Sequence, residues 1–253
     1  MKTIAIINLK GGTAKTTTAV NLAAELTHRG RRVLLIDADP QHNLTDFCKA
    51  DGEGATLTDL LAQRSDIAED IVQELPDGTG IVPSDLSLCE IDIEAIQRGI
   101  SLRTVRDLCD VLSDRYDVCI IDCPPSFTAA SIAALVAADE AILPVTVDAF
   151  AMGGAAEIVR QCENLAGVNP ALLVRGVLLT MCSRSSVCMQ GEAAVRSLGL
   201  PVFKTSIRRT CRAQEATFAR QSLREYAPHC TAAFDYSELC DELTEKWGEE
   251  NGK

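Results

Sequence analysis

Ten residues near the start of the chain, Asn8-Leu9-Lys10-Gly11-Gly12-Thr13-Ala14-Lys15-Thr16-Thr17, constrain the fold more than any other stretch. They follow an apolar run, Ile4-Ala5-Ile6-Ile7, which reads as a short buried strand. They precede Ala19-Val20-Asn21-Leu22-Ala23-Ala24-Glu25-Leu26, whose apolar residues recur at helical spacing. Strand, glycine turn, lysine, hydroxyl residue and helix, in that order, are the parts of a phosphate-binding loop. Glycines let backbone N–H groups approach a phosphate closely, and the helix N-terminus favours an anion. Lys15 supplies a charge for the β- and γ-phosphates, and Thr16 a hydroxyl for Mg²⁺.

The usual loop reads G-x-x-x-x-G-K-[ST]. Here Ala14 stands where the second glycine belongs, and Lys10 lies four residues before it. A Cβ at position 14 is tolerated if φ there is negative. The pattern Lys-Gly-Gly-x-x-Lys-Thr-Thr resembles the deviant Walker A loop of the ParA/MinD group of ATPases. The resemblance implies that Gly11, Gly12, Thr13, Ala14, Lys15, Thr16 and Thr17 bind nucleotide. It further implies that Lys10 reaches a nucleotide phosphate across a dimer interface.

The second strand, Val33-Leu34-Leu35-Ile36, ends in Asp37-Ala38-Asp39-Pro40-Gln41. Ligands of open α/β sheets bind at such carboxyl ends. One carboxylate there suits a Mg²⁺ water and the other an attacking water. The D-x-D-P-Q run resembles the same group's second nucleotide motif, which implies the hydrolytic role for Asp39 and leaves Asp37 with the metal. A third apolar strand, Val118-Cys119-Ile120-Ile121, ends in Asp122-Cys123-Pro124-Pro125-Ser126. An apolar strand ending in Asp is a Walker B pattern, so Asp122 joins Thr16 and Asp37 as a Mg²⁺ residue.

The 253 residues, 47% hydrophobic, suffice for one large α/β domain. Aromatics make up only 4%, and Ala, Leu, Ile and Val suit parallel strands buried on both faces. Further strands are expected at 80–84, 141–145, 172–180 and 202–203, and helices at 101–114, 126–137, 153–165, 187–198 and 231–247. The alternation indicates an α/β fold: a doubly wound, mostly parallel sheet with helices on both faces. Residues 1–253 are expected to form a single P-loop ATPase domain without an N-terminal helix-turn-helix extension. The eleven cysteines contain no C-x-x-C pair, and no signal peptide precedes the first strand. Reduced thiols in a cytoplasmic, nucleoid-associated protein are the expectation.

The formal net charge of −12 argues against coating nucleic acid with the whole surface. From Asp66 to Glu94 there are nine acidic residues and no Lys or Arg, read as a solvated face. Residues 204–225 are the basic exception, with Lys204, Arg208, Arg209, Arg212, Arg220 and Arg224 against Glu215 and Glu225. They suit either a solvated helix face or contacts with a phosphate backbone, and base stacking on single strands is not expected. Ser206 to Ala216 resembles the family segment Ile-Pro-Arg-Asn…Glu-Ala beside the adenine, with Arg208 and Thr210 where the family has Pro and Asn. The resemblance implies adenine-side roles for Arg208 and Thr210. It links Arg209, and Arg184 after the Leu-Thr-Met strand, to DNA, with Arg212 beside them.

The resemblance to the ParA/Soj type covers nearly the whole chain. It implies ATP and Mg²⁺ as cofactors, an ATP-dependent homodimer and non-specific DNA binding. It also implies release when a ParB-like centromere-binding partner stimulates slow ATP hydrolysis. A MinD-like positioning ATPase, at a membrane or as a scaffold, is the alternative. Against a membrane stands the acidic C-terminus, with seven acidic and two basic residues from Asp235 to Lys253. A catalyst acting on a small substrate stays open, because a phosphate loop alone shows only nucleotide use.

Overall fold

In the computed structural model, which describes residues 1–50, 54–63, 70–147 and 151–251, strands and helices alternate along the chain. They are β1 (Lys2–Ile6), α1 (Lys15–His28), β2 (Val33–Asp37), α2 (Asn43–Cys48), α3 (Leu57–Leu61), β3 (Gln73–Glu74), β4 (Gly80–Val82), α4 (Ile91–Arg98), α5 (Thr104–Val111), β5 (Val118–Asp122), α6 (Ala129–Ala137), β6 (Glu140–Thr146), α7 (Ala151–Asn164), β7 (Leu173–Thr180), α8 (Ser186–Arg196), α9 (Cys211–Ala219), α10 (Leu223–Tyr226) and α11 (Thr231–Asn251). The seven strands make one sheet in the order β3-β4-β2-β5-β1-β6-β7. Every pairing is parallel except the antiparallel edge pair β3–β4.

Successive residues of a strand point to opposite faces, and here both faces are covered. Ala5, Ile7, Leu34, Ile36, Cys119 and Ile121 pack with Leu108, Leu112 and Ala133 on one side. Ile4, Ile6, Val33, Leu35, Val118 and Ile120 pack with Leu22, Leu26, Leu239 and Leu243 on the other. This double burial explains why the strands read as unbroken apolar runs. The long C-terminal helix α11 lies on α1, where Tyr236 is fully buried and its hydroxyl meets Thr18 Oγ1 at 3.2 Å.

Three expectations need correction. Val202 makes only an isolated bridge to Val177 and no strand. The helix expected over 101–114 begins at Thr104 and tightens to a 3₁₀ turn over Leu112–Asp114. The acidic stretch is not one solvated face. It contains α4, whose Asp92 accepts a 2.6 Å bond from Ala129 N at the start of α6. Its Asp85 accepts from Thr56, Thr58 and Ser87. Residues 66–69 of that stretch, and Lys253 at the acidic C-terminus, lie outside the described residues.

At the amino-terminal edge of the sheet, Glu140 opens β6 in full burial. Its Oε1 accepts from Lys2 Nζ at 2.7 Å, from the Arg175 guanidinium and from Trp247 Nε1 at 3.1 Å. One carboxylate thus ties β1, β6, β7 and the end of α11. Removing its charge takes away the buried carboxylate that Lys2 and Arg175 share, so Glu140→Gln is expected to cost about 3 kcal/mol. Chemical unfolding followed by the fluorescence of Trp247, the single tryptophan, measures that loss directly.

Candidate functional site

Parallel pairing sets three chain segments at one level. Asp37 lies opposite Asp122, and Asp122 opposite Ile6, so two carboxylates and the start of the phosphate loop share one edge. The loop leaves β1 at Ile7 and is suspended from the neighbouring strands. Ile7 N donates to Ile142 O at 3.1 Å, Asn8 Nδ2 to Pro144 O at 2.5 Å, and Thr180 Oγ1 to Thr13 O at 3.0 Å. Asn8 Oδ1 in turn accepts from Lys10 N at 2.9 Å. The loop is therefore shaped by β6 and β7 as well as by its own glycines.

Gly12 has φ +72, which explains glycine at that position. A Cβ added at Gly11 or Gly12 would meet no atom of the chain within 4 Å. The space above the loop is open, as a cradle for an anion requires. Ala14 does not meet the condition of a negative φ: it sits at φ 68, ψ 33, in the left-handed region. It adopts the conformation a glycine would take there, at a steric cost its methyl group cannot avoid. Its carbonyl accepts from Thr18 N and so begins α1.

Lys15 is only 8% exposed, and its Nζ lies 3.4 Å from Lys10 O. Burial lowers its pKa, and the carboxylates of Asp122 and Asp39 oppose that shift. Thr16 Oγ1 donates to Asp122 Oδ2 at 2.6 Å. Asp122 is 1% exposed, and its Oδ1 has no hydrogen-bond partner. Burial, reinforced by Asp37, pushes its pKa well up. An orphaned carboxylate oxygen beside a threonine hydroxyl suits a small divalent cation whose other ligands are phosphate and water. Among the described residues no cluster of three or more His, Cys, Asp or Glu is arranged to hold a metal by itself.

Asp37 is fully buried and occupied on both oxygens. Its Oδ1 accepts from Asp39 N at 3.1 Å, and its Oδ2 from Thr45 N and Thr45 Oγ1, each at 2.8 Å. Burial raises its pKa to about 6. Asp39, 9% exposed, stands nearer the surface and accepts from Gln41 N at 2.9 Å. Lys10 is exposed, while its carbonyl faces inward to Lys15 and Thr13.

A cavity of about 320 Å³ opens beside the loop, lined by Ala14, Thr17, Met181, Arg209, Gln214 and Tyr236 among others. Arg208 and Thr210 also border it, but each is engaged locally. The Arg208 guanidinium clasps Asp235 of α11, with Nη2 to Oδ1 at 2.5 Å. Thr210 Oγ1 caps α9 by accepting from Arg212 N.

The basic stretch divides once its partners are known. Arg208 pairs with Asp235, Arg212 with Glu215 and Arg224 with Glu25. Arg184, Arg209 and Arg220 are exposed and make no ion pair among the described residues. One aromatic lies within this stretch: Phe218 on α9, 92% exposed. Sequence reasoning missed Thr45 and Thr180, which hold the site from eight residues beyond Asp37 and from β7, two strands across the sheet from β1. No spacing rule marks either. Phe218 was visible as the one aromatic among the arginines.

A family profile described as an AAA domain matches residues 1–174. The chromosome partitioning protein ParA of Caulobacter vibrioides is 35% identical over 254 residues, covering 96% of this chain and 94% of that protein. Among solved structures, a cobyrinic acid a,c-diamide synthase of Mycobacterium smegmatis, with a bound ATP analogue and magnesium, superposes with a TM-score of 0.86. That match is 28% identical and covers 100% of this chain and 97% of the other. A Cyanothece McdA–ATP complex has a TM-score of 0.85 at 29% identity, covering 96% of both chains.

Replacing Ala14 by glycine removes the left-handed penalty, so Ala14→Gly is expected to raise stability by about 1 kcal/mol in denaturant titrations. Asp37 contributes a pH dependence of definite sign. With a raised folded pKa, it binds more protons folded than unfolded between its ordinary value and about 6. Its ionisation therefore destabilises the fold as pH rises through that window. The stability of Asp37→Asn relative to the parent is expected to improve between pH 4 and pH 7, measured by unfolding without nucleotide.

Proposed function

The chain belongs to the ParA/MinD group of P-loop ATPases, and from that premise we propose that it is a ParA/Soj-type partitioning ATPase. ATP with Mg²⁺ dimerises it, the dimer binds DNA non-specifically, and a ParB-like partner triggers hydrolysis and release. One observation carries the nucleotide part. Asp122, with one oxygen orphaned and the other on Thr16, lies at the level where the glycine loop opens beside Lys15.

The residues fit Mg²⁺–ATP in kind. The amides of Gly11 to Thr17 and the Lys15 ammonium hold the phosphates, as a helix N-terminus and lysine do for an anion. Thr16 and Asp122 would hold the metal; Asp37, expected with them, has both oxygens engaged by Asp39 N and Thr45 and is left out of that set. Bound ATP supplies the phosphoanhydride, and its magnesium neutralises charge on the phosphates. Asp39, at the mouth of the site, orients the attacking water. Asp37 sits behind it, occupied by main chain and Thr45, and supports from there. Lys10 is exposed at the loop and is assigned to the partner subunit's nucleotide. Base recognition falls to the cavity bordered by Ala14, Arg208, Arg209 and Thr210.

Electrostatics supports DNA as the polyanion. On a body of net charge −12, a phosphate backbone is repelled except where cations cluster. Arg184, Arg209 and Arg220, exposed and without ion pairs among the described residues, are assigned to that exception. Arg212 can join them, because its surface pair with Glu215 contributes little against a phosphate. The acidic residues of α11, including Glu238, Asp241 and Glu245, disfavour an anionic membrane. No helix among the described residues is long and apolar enough to cross one.

Lys15→Ala is expected to abolish ATP binding, while Asp39→Ala retains binding and loses hydrolysis by about a hundredfold or more. Equilibrium binding and phosphate release separate the two. Normal hydrolysis by Asp39→Ala would remove the water-orienting role. In gel shifts with ATP at two salt concentrations, the parent binds duplex DNA more tightly at low salt and Arg209→Glu binds it weakly. No binding by the parent at low salt overturns the DNA reading.

A further inference from the structure

We infer that Thr45 is a positioning residue for hydrolysis, acting through Asp37 on Asp39; this rests on the ATPase reading above. Asp37, Thr45 and Ser84 are all buried and joined in one line. Ser84 N donates to Thr45 Oγ1 at 2.9 Å, and Thr45 Oγ1 lies 2.8 Å from Asp37 Oδ2. The polarity of this line is forced. A backbone N–H only donates, so Thr45 accepts from Ser84 and its single hydroxyl proton is directed at Asp37. The Thr45 amide adds a second bond to the same carboxylate oxygen at 2.8 Å.

The other oxygen of Asp37 accepts from Asp39 N. The segment 39–45 is therefore a loop pinned at both ends to one carboxylate. Within it Asp39 O accepts from His42 N at 2.8 Å, and Asp39 Oδ1 from Gln41 N. His42 enters α2 at φ 44, so the turn has little freedom to relax in another direction. Loss of the Thr45 hydroxyl removes one of the two bonds that hold this end, leaving only the Thr45 amide on Asp37 Oδ2, and leaves Ser84 N without its acceptor. The Asp39 carboxylate then loses its fixed aim, while the phosphate loop, held from β6 and β7, is untouched. The effect belongs on turnover and not on nucleotide affinity.

The test compares Thr45→Val, which keeps the shape without the hydroxyl, with Thr45→Ser, which keeps the hydroxyl. Full-length protein is assayed with Mg²⁺–ATP, and amide hydrogen exchange across residues 38–46 is measured without nucleotide. Thr45→Val is expected to lower kcat about tenfold with KM for ATP within about twofold. Thr45→Ser restores kcat, and exchange is faster in the valine variant than in the serine variant. Asp37→Asn, combined with Thr45→Val, is expected to be no slower than the worse single variant, because both break one line. If Thr45→Val does not fold, Asp37→Asn alone is expected to show the same split between kcat and KM.

Unchanged kcat in Thr45→Val, or in Asp37→Asn where it stands alone, overturns the proposal. Equal impairment of the valine and serine variants, or a change confined to KM, also overturns it. A parent protein that fails to hydrolyse ATP overturns the ATPase reading instead. The exchange comparison then still decides whether Thr45 holds the segment.

Discussion

The site depends on one constraint, the common register of β1, β5 and β2. Because Asp122 lies between Ile6 and Asp37, paired with each across parallel strands, the chain emerges as a loop at the place where two carboxylates are buried. Burial in a low-dielectric edge makes these acids poor anions, and it makes Lys15 a poor cation. Each eases the other. A phosphate arriving beside Lys15, and a cation beside Asp122, complete a balance that the protein alone leaves unfinished. Apolar residues on both faces of these strands hold the register, so the core and the site are one construction.

Much of this was legible in the chain. Parallel strands buried on both faces must be apolar throughout, so β1, β2 and β5 announce themselves, and the acids that end them stand out by contrast. Lys10 to Thr17 is legible because strand, turn and helix signals agree. Other features depend on partners far off in sequence. Arg224 finds Glu25, and Arg208 finds Asp235. Two of the six cations of an apparently basic stretch are therefore neutralised by residues no local pattern connects to it. The helix α4 was hidden for a different reason. Its Ile93 and Ile96 are exposed, and Ile91 is the member of its apolar set that is fully buried, so its periodicity does not mark a core face. Ala14 shows the limit of propensity: a residue that rarely adopts positive φ does so where the loop demands it.

Fold likeness alone does not choose a biological role. Neighbours of nearly equal TM-score include a synthase of a small molecule and McdA, because the sheet and loop serve any reaction that begins with a bound phosphate. Under the proposed function, what separates such proteins is the loop residue assigned to a second subunit and the charge of the outer surface. Lys10 and the exposed arginines around α9 are the parts of this chain that bear on the choice. They lie on different elements, and each can be altered without touching the phosphate loop's own glycines.

The tethering of the loop to β6 and β7 also has a consequence for time. A loop that must wrap round its ligand loses freedom at the moment of binding, and capture is slowed by that ordering. Here Asn8, Thr13 and Ile7 are held by bonds within the chain. Tethering of this kind lowers the ordering cost of capture, so differences between nucleotides are expected in how long each one stays. Under the proposed function, the cycle of such a protein lengthens or shortens through its exit step.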